Sequence, residues 1–438
     1  MAANDDDAPA DLDAPADIDT VLDEARGWYD ANWSPDLTLA EWWDRLGRSG
    51  WAFPAWPRQW FGKGLPAGVA RRAVADRQRL GVYGPRTGIA TFLTAPTIFT
   101  HGNDEQKARF IPGIATGRDM WCQLFSEPGA GSDLASLQTR AVRDGDEWIV
   151  TGQKVWTSGA QTSRYGILMA RTDPDVPKHK GITYFLIDLD QPGVDVRPLR
   201  EMTGEAAFNE VFLTEARVHD NDRLGDLGEG WRVAMTTLAN ERDSNNPGLG
   251  GGGGSLLDAP DQSLTVDAYR QLQSREIDAF SFSIGGGVVG VLDSLIDTFG
   301  RGGDPVTRQR IATLRSLRET GRWSAQRAKA VAHSGTGPGA ETSTLKLQGS
   351  MIGRLTRDLG FEVAGAHGML LGHDAPAGGL FHKFALFTQA SSIAGGSDEV
   401  QHNIIAERSL GLPKESDESR DLPFRELRVG TQRRSEST

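Results

Sequence analysis

The stretch LFSEPGAGSDLASLQTRA carries the residues best spaced for chemistry. Gly129 and Gly131 let the backbone close tightly around a ligand, and the hydroxyl and N–H groups near Ser126 and Ser132 can bind the polar edge of a ring or a phosphate. Such a loop suits a flavin. Other chemistries find weaker material. The eight histidines are scattered without HExxH or any other ligand spacing, so metal chemistry has little support. Cys122 is the single cysteine, which excludes an intramolecular disulfide and a thiolate zinc site. Gly285, Gly287 and Gly290 match the spacing of a dinucleotide fingerprint, but no strand precedes them to deliver phosphates to a helix start. They read as close helix packing. The run Gly250 to Gly254 lacks the Lys-Ser/Thr that follows a phosphate loop and reads as a flexible connector.

The elements that must position the loop follow from charge and periodicity. Over 438 residues, 59 acids against 47 bases give a net charge of −12, which excludes a generally basic nucleic-acid binder. Much of the excess lies at the start, where Asp, Ala and Pro predict a disordered acidic arm over 1–19. Helical spacing over 20–118 predicts an N-terminal helical domain, with the aromatics of WAFPAWPRQWFGKGLP packed as core at a rigid turn. Over 119–230 the period changes to two, in runs at 147–150, 155–158, 165–171, 182–189 and 210–213, which predicts an all-β region. Helical periodicity returns over 231–413. Leu347, Met351, Ile352, Leu355 and Leu359 form one stripe, 308–333 and 389–410 also read as helices, and the region is expected to be helical. A loose tail over 414–438 completes an α+β multidomain chain. No apolar run reaches the ~18 residues that cross a bilayer, and the acidic start is unlike an export leader, so the expected compartment is the cytoplasm.

Three segments carry a family likeness, in this order: HGNDEQKARFIPGIATG, LFSEPGAGSDLASLQTRAVRDGDEWIVTGQKVWTSGAQTSRYGILMARTD and SSIAGGSDEVQHNIIAERSLGLP. Together they resemble the acyl-CoA dehydrogenase family over roughly residues 20–413. The resemblance implies an FAD-dependent oxidoreductase that converts an acyl-CoA to a 2,3-enoyl-CoA in lipid catabolism of the β-oxidation kind and passes electrons to an electron-transfer flavoprotein. It implies a β-barrel-like central domain over 119–230, a four-helix bundle over 231–413, and a homo-tetramer, or a hetero-oligomer with a related chain. By the same resemblance Gln123, Phe125, Ser126 and Ser132 lie along the pyrimidine side of FAD, with Ser132 also near the CoA portion. Trp156 and Ser158 match the positions beside the isoalloxazine ring, and Glu362, Gly365, Ser397 and Glu399 the remaining cofactor-facing positions.

The reaction removes an α-proton as hydride leaves the β-carbon, and a carboxylate whose proton affinity is raised by desolvation can take that proton. Many family members place this Glu before a Gly-Thr/Ser pair near the end. Here the matching residue is Gly395, whose N–H can still polarise the thioester carbonyl. A minority, resembling isovaleryl-CoA and long-chain acyl-CoA dehydrogenases, places the base on an earlier helix directly before an Arg. TTLANER supplies Glu241 as that base and Arg242 as a substrate-side neighbour. By residue type alone the pair reads equally as a solvated helix end, and Asp398 and Glu399 rank behind Glu241 as bases.

Two departures bear on the cofactor. Ile296 stands where the family often has an Arg that reaches the FAD pyrophosphate of a neighbouring subunit, with Arg301, Arg308 or Arg310 as replacements, and Glu362 brings a carboxylate towards an anionic cofactor. Two alternatives follow. One is a half-competent subunit completed by a partner chain; the other is a flavin monooxygenase or nitroalkane-oxidising relative on the same scaffold. The break after Glu241, at Pro247 and the following glycines, gives the expectation of a pocket for branched or bulky acyl groups.

Overall fold

The computed structural model describes residues 17–242, 260–273, 288–333, 341–416 and 419–427. Asp17 caps α1 (Ile18–Asn32), so the first helix begins inside the stretch expected to be an arm. Thr38 and Glu41 close a reciprocal capping box on α2 (Leu39–Ser49), which satisfies two N–H groups that a helix start otherwise leaves open. This helix buries Trp42 and Trp43, whose indole N–H groups donate to the carbonyls of Tyr83 and Gly84 at 2.9 and 3.1 Å. Trp51, Phe53 and Trp56 are buried beside them, so the aromatic segment is core. Helix α3 (Ala67–Arg79) follows, and a π-helical turn at Ala90–Thr94 runs into α4 (Ala95–His101). Helix α5 (Asp104–Ala115) places Gln106 where its side-chain N–H group donates to the carbonyls of Asn221 and Arg223, tying the helical domain to the sheet that follows.

The sheet contains β1 (Trp121–Leu124), β2 (Arg140–Asp144), β3 (Glu147–Lys154), β4 (Tyr165–Arg171), β5 (Ile182–Asp188), β6 (Val194–Leu199) and β7 (Phe208–His219). Its order is β1-β4-β2-β3-β7-β6, with β5 also paired to β4. Leu124, Val150, Leu168, Phe185 and Val211 are fully buried inside the curl. One expected strand is absent. Residues 155–158 alternate like a strand, but Trp156 has φ +59°, which takes the backbone out of the extended region and ends β3 at Lys154.

Helix α6 (Gly230–Arg242) enters against β5 so closely that a Cβ on Gly230 would stand 2.6 Å from the Thr183 backbone. Then come α7 (Val266–Gln273), α8 (Val288–Thr298), α9 (Pro305–His333), α10 (Glu341–Ala364), α11 (Leu380–Ser391) and α12 (Asp398–Ile404). Leu359 is buried on α10 as the stripe predicts, while Met351 is 49 % exposed. The helix expected over 389–410 is two helices. Gly395 and Gly396, at φ +65° and +87°, interrupt it in a conformation that side chains resist. Gly250–Gly254, Gly285 and Gly287 lie outside the described residues. For Gly290, on α8, no described atom comes within 4 Å of a built Cβ. The stretch expected to be a loose tail includes a docked segment, residues 419–427, with Phe424 buried against the sheet domain. None of the described helices is long and apolar enough to cross a membrane, and the described residues hold no cluster of three His, Cys, Asp or Glu fit for a metal.

Candidate active site

The loop after β1 is held by a buried ion pair. Lys154, fully buried at the end of β3, donates to the Phe125 carbonyl at 3.0 Å and to Glu127 at 2.8 Å. The Glu127 carboxylate also accepts the N–H groups of Gln138 and Thr139 at 2.6 and 2.9 Å. Burial pushes the Glu127 carboxyl up, but Lys154 and these hydrogen bonds outweigh it and hold the group below the usual carboxylate range. The pair fixes both ends of the loop that carries Ser126, Gly129 and Ser132.

The N–H of Val155 donates to the Ser126 carbonyl at 2.9 Å, which sets Trp156 beside the same loop. Beyond it the N–H groups of Thr157 and Gly159 donate to the carbonyls of Asn209 and Ala207, holding Ser158 at that sheet edge. Trp156 is strained and 62 % exposed, and its ring lies roughly perpendicular to that of Phe208 at 6.0 Å. A large ring left open in a strained backbone is unexplained by the chain's own packing and fits a flat aromatic ligand laid across it. Phe125 is buried, Gln123 and Ser126 are half-buried and Ser132 is exposed. Cys122, next to Gln123, has its thiol pushed up to about 12 by burial and offers no nucleophile.

Glu241 lies on the last turn of α6, in line with Gly230, Val233, Ala234 and Thr237, all buried. The residue is half-buried, which is not the position of a freely solvated helix end. A Cβ built on Gly395 would lie 3.9 Å from Glu241 Oε1. The break between α11 and α12 therefore puts the two residues side by side. One turn before Glu241, the Thr237 hydroxyl meets those of Tyr184 and Thr97 at 2.9 and 3.0 Å, and the Tyr184 ring stands edge-on to Phe125 at 5.8 Å. This buried chain joins the helix of Glu241 to the loop after β1. The side chain of Arg242 lies outside what the structure describes.

Asp398 is engaged elsewhere. Lys346, Ser350 and Arg354 donate to its carboxylate at 2.8, 2.9 and 3.0 Å. Partial burial pushes the carboxyl up, but the hydrogen bonds from Lys346, Arg354 and Ser350 prevail and bring it to about 2. So weak a base is a poor acceptor for an α-proton. Its function is to pin the turn: the Asp398 N–H donates to the Ser392 carbonyl at 3.0 Å, and the Gln401 side chain donates to the Gly395 carbonyl at 2.9 Å. Ser397 caps α12 through the Val400 N–H, and Glu399 is exposed, its carboxyl lowered by its own backbone N–H and by Ser397.

Glu362 and Gly365 form another group at the far end of α10. Glu362 is ion-paired with Arg310, so its carboxylate is compensated within the chain. Arg301 is exposed and comes within 3.9 Å of a Cβ built on Gly365, while Ile296 is buried. Of the three candidate arginines, the structure places Arg301 beside Gly365 and occupies Arg310 with Glu362. The arrangement around the loop after β1 thus fits FAD, whereas for its phosphates the chain has Arg301, Arg308 and Arg310, all exposed and the last paired with Glu362, and a buried Ile296 where the resemblance expects an Arg. Sequence reasoning missed Lys154, Glu127, Tyr184 and Thr237. The adjacency of Glu127 to the ligand loop was the one signal available for them.

Comparison with known proteins gives a consistent result. Acyl-CoA dehydrogenase domain models match in order: the N-terminal domain over residues 18–118, the middle domain over 122–216 and the C-terminal domain over 297–410. The chain is 38 % identical over 374 residues to the acyl-CoA dehydrogenase FadE34 of Mycobacterium tuberculosis, covering 84 % of this chain and 46 % of that protein. To the acyl-CoA dehydrogenase IpdE1 of the same organism it is 35 % identical over 383 residues, covering 86 % of this chain and 88 % of that one. Among solved structures, the Tcur3481-Tcur3483 steroid ACAD matches with TM-score 0.65 and 26 % identity, covering 92 % of this chain and all of that one. The ChsE4-ChsE5 complex of Mycobacterium tuberculosis matches with TM-score 0.65 and 25 % identity over the same shares.

Proposed function

The chain belongs to the acyl-CoA dehydrogenase family, and on that premise we propose that it dehydrogenates the α,β bond of an acyl-CoA thioester with Glu241 as base. The observation that carries this reading is the contact of Glu241 with Gly395. Where many relatives keep the catalytic Glu, this chain has a glycine, and a carboxylate from another helix stands within 3.9 Å of the missing side chain.

FAD is the cofactor. Gln123, Phe125, Ser126 and Ser132 would hold its pyrimidine side, Trp156 and Ser158 its ring face, and Ser397, Glu399, Glu362 and Gly365 more distant parts. When bound, it accepts the hydride that leaves the β-carbon. Glu241 takes the α-proton, and its half-burial favours the protonated product of that transfer. The Gly395 N–H polarises the thioester carbonyl, and Arg242 and Ser132 orient the ester. Electrons then leave to an electron-transfer flavoprotein. The steroid ACAD among the structural neighbours supports a bulky, ring-bearing acyl group. The chain segment first linked to a roomy pocket, 243–259, lies outside the described residues.

Ile296 and the Arg310–Glu362 pair favour a second reading, in which a related partner chain completes the phosphate end of the site. The ChsE4-ChsE5 complex supports it. The visible spectrum of the purified chain, with bleaching followed across a panel of straight, branched and ring-bearing acyl-CoAs, tests both. Flavin absorbance that bleaches with ring-bearing esters is expected. A colourless protein that takes up no added FAD refutes the self-sufficient enzyme in favour of the partnered one. Rapid reaction of the reduced flavin with oxygen would point instead to a monooxygenase or nitroalkane-oxidising relative.

A further inference from the structure

Residues 419–427 form a strap across the sheet domain. The Phe424 and Arg425 N–H groups donate to the carbonyls of Val176 and Pro174 at 2.9 and 3.0 Å, Pro423 bridges to Pro177, and Arg425 pairs with Asp175. Phe424 is buried, and its ring centre lies 3.3 Å from the guanidinium carbon of Arg171, which is 5 % exposed. Arg171 in turn donates to the carbonyls of Ala135, Lys178 and Leu137 at 2.7, 3.0 and 3.2 Å. Lys178, on the loop the strap covers, donates to both oxygens of Asp133 at 2.9 and 3.1 Å. Two of the Arg171 bonds and the Lys178 pair thus end on the turn that follows Ser132, at Ala135, Leu137 and Asp133.

We propose that the strap is part of the acyl-CoA site, with Phe424 acting through Arg171 as a positioning residue for the Ser132 turn. The inference rests on the reading that Ser132 meets the CoA portion of the substrate. A turn preceded by Gly129 and Gly131 is costly to order, and that cost falls on binding unless the fold has already met it. The guanidinium is planar, so a ring stacked on one face fixes the direction of its N–H groups towards Ala135 and Leu137. Without Phe424 that face is hydrated, Arg171 can swing, and the turn is ordered only when substrate arrives. Glu241 and Gly395 lie on other elements, so the proton-transfer geometry is untouched. The strap therefore governs affinity and leaves turnover alone.

The experiment compares the FAD-loaded full chain with Phe424→Ala, Phe424→Tyr and a chain stopped after Ser416. Coenzyme A binding is measured by calorimetry, KM and kcat with the ester that bleaches the flavin fastest, and amide hydrogen exchange over 131–137 without substrate. Phe424→Ala and the shortened chain should weaken coenzyme A binding and raise KM about tenfold, as for one lost stacked cation–ring contact, and leave kcat within about twofold. Exchange over 131–137 should quicken in both, and Phe424→Tyr, which keeps the ring, should behave as the parent. Unchanged affinity and exchange in the shortened chain overturn the proposal. So do kcat, KM and melting temperature worsening together with no rescue by Phe424→Tyr, the signature of a merely structural strap. A parent protein that binds no coenzyme A overturns the reading of Ser132 and the strap's role with it, which sets that failure apart from a strap that simply does not matter.

Discussion

Replacing Asp398 with Asn tests whether the turn bearing Gly395 is held by charge. The carboxylate is 15 % exposed and receives Lys346, Ser350 and Arg354, which together bring it from an ordinary 3.8 to about 2 despite the opposing effect of burial. A depression of that size corresponds to roughly 2 kcal/mol of native-state stability, at about 1.4 kcal/mol per pKa unit. Because the folded value lies below the unfolded one, this stability is fully present above the unfolded pKa and is lost as pH falls towards 2. Asp398→Asn should therefore lower stability in urea by about 2 kcal/mol at pH 7, and the gap to the parent should fall to roughly half by pH 3. The amide keeps the shape but leaves Lys346 and Arg354 uncompensated, so kcat should also fall as the turn loses its register to Glu241. Urea unfolding at a series of pH values, with steady-state kinetics at pH 7, gives both numbers. A stability gap that is constant with pH, or one that leaves kcat unaltered, would refute the argument.

Other outcomes follow from the same geometry. Lys154→Met leaves Glu127 buried without its cation and should cost about 3–5 kcal/mol, measured by urea unfolding, with FAD lost alongside as the loop loosens. Trp156→Ala should reduce FAD retention while leaving the melting temperature of the flavin-free protein unchanged or slightly raised, since an exposed ring in a strained backbone contributes little to folding. Gly395→Glu in a Glu241→Gln background should recover only part of the lost rate, because φ +65° at that position costs a side chain about 1–2 kcal/mol; rapid-reaction reduction rates would show this.

The fold was legible where one period dominates a long stretch, and illegible where a single residue contradicts it. Residues 155–158 alternate like a strand, and nothing in their types announces that Trp156 turns left-handed. Gly395 and Gly396 were visible as glycines, yet the apolar rhythm of 389–410 outweighed them, and the helix break that brings Gly395 beside Glu241 went unread. Phe424 is a lone large aromatic among charges, so its burial depends on Arg171, some 250 residues earlier, which no local pattern supplies. The turn after β1 was legible as a turn because its Gly and Ser types have local consequences. The pairing of Glu241 with Gly395 came from family register, since the two are too far apart in sequence for spacing to relate them.

The central claim is that Glu241 removes the α-proton. The direct measurement is the rate of flavin bleaching by a preferred acyl-CoA in Glu241→Gln, with FAD content and ester affinity determined on the same sample. An amide has similar shape and no useful basicity, so bleaching should slow by at least ~10²-fold while FAD and ester remain bound. Near-parent bleaching in Glu241→Gln, with Glu399→Gln inactive, would contradict the account.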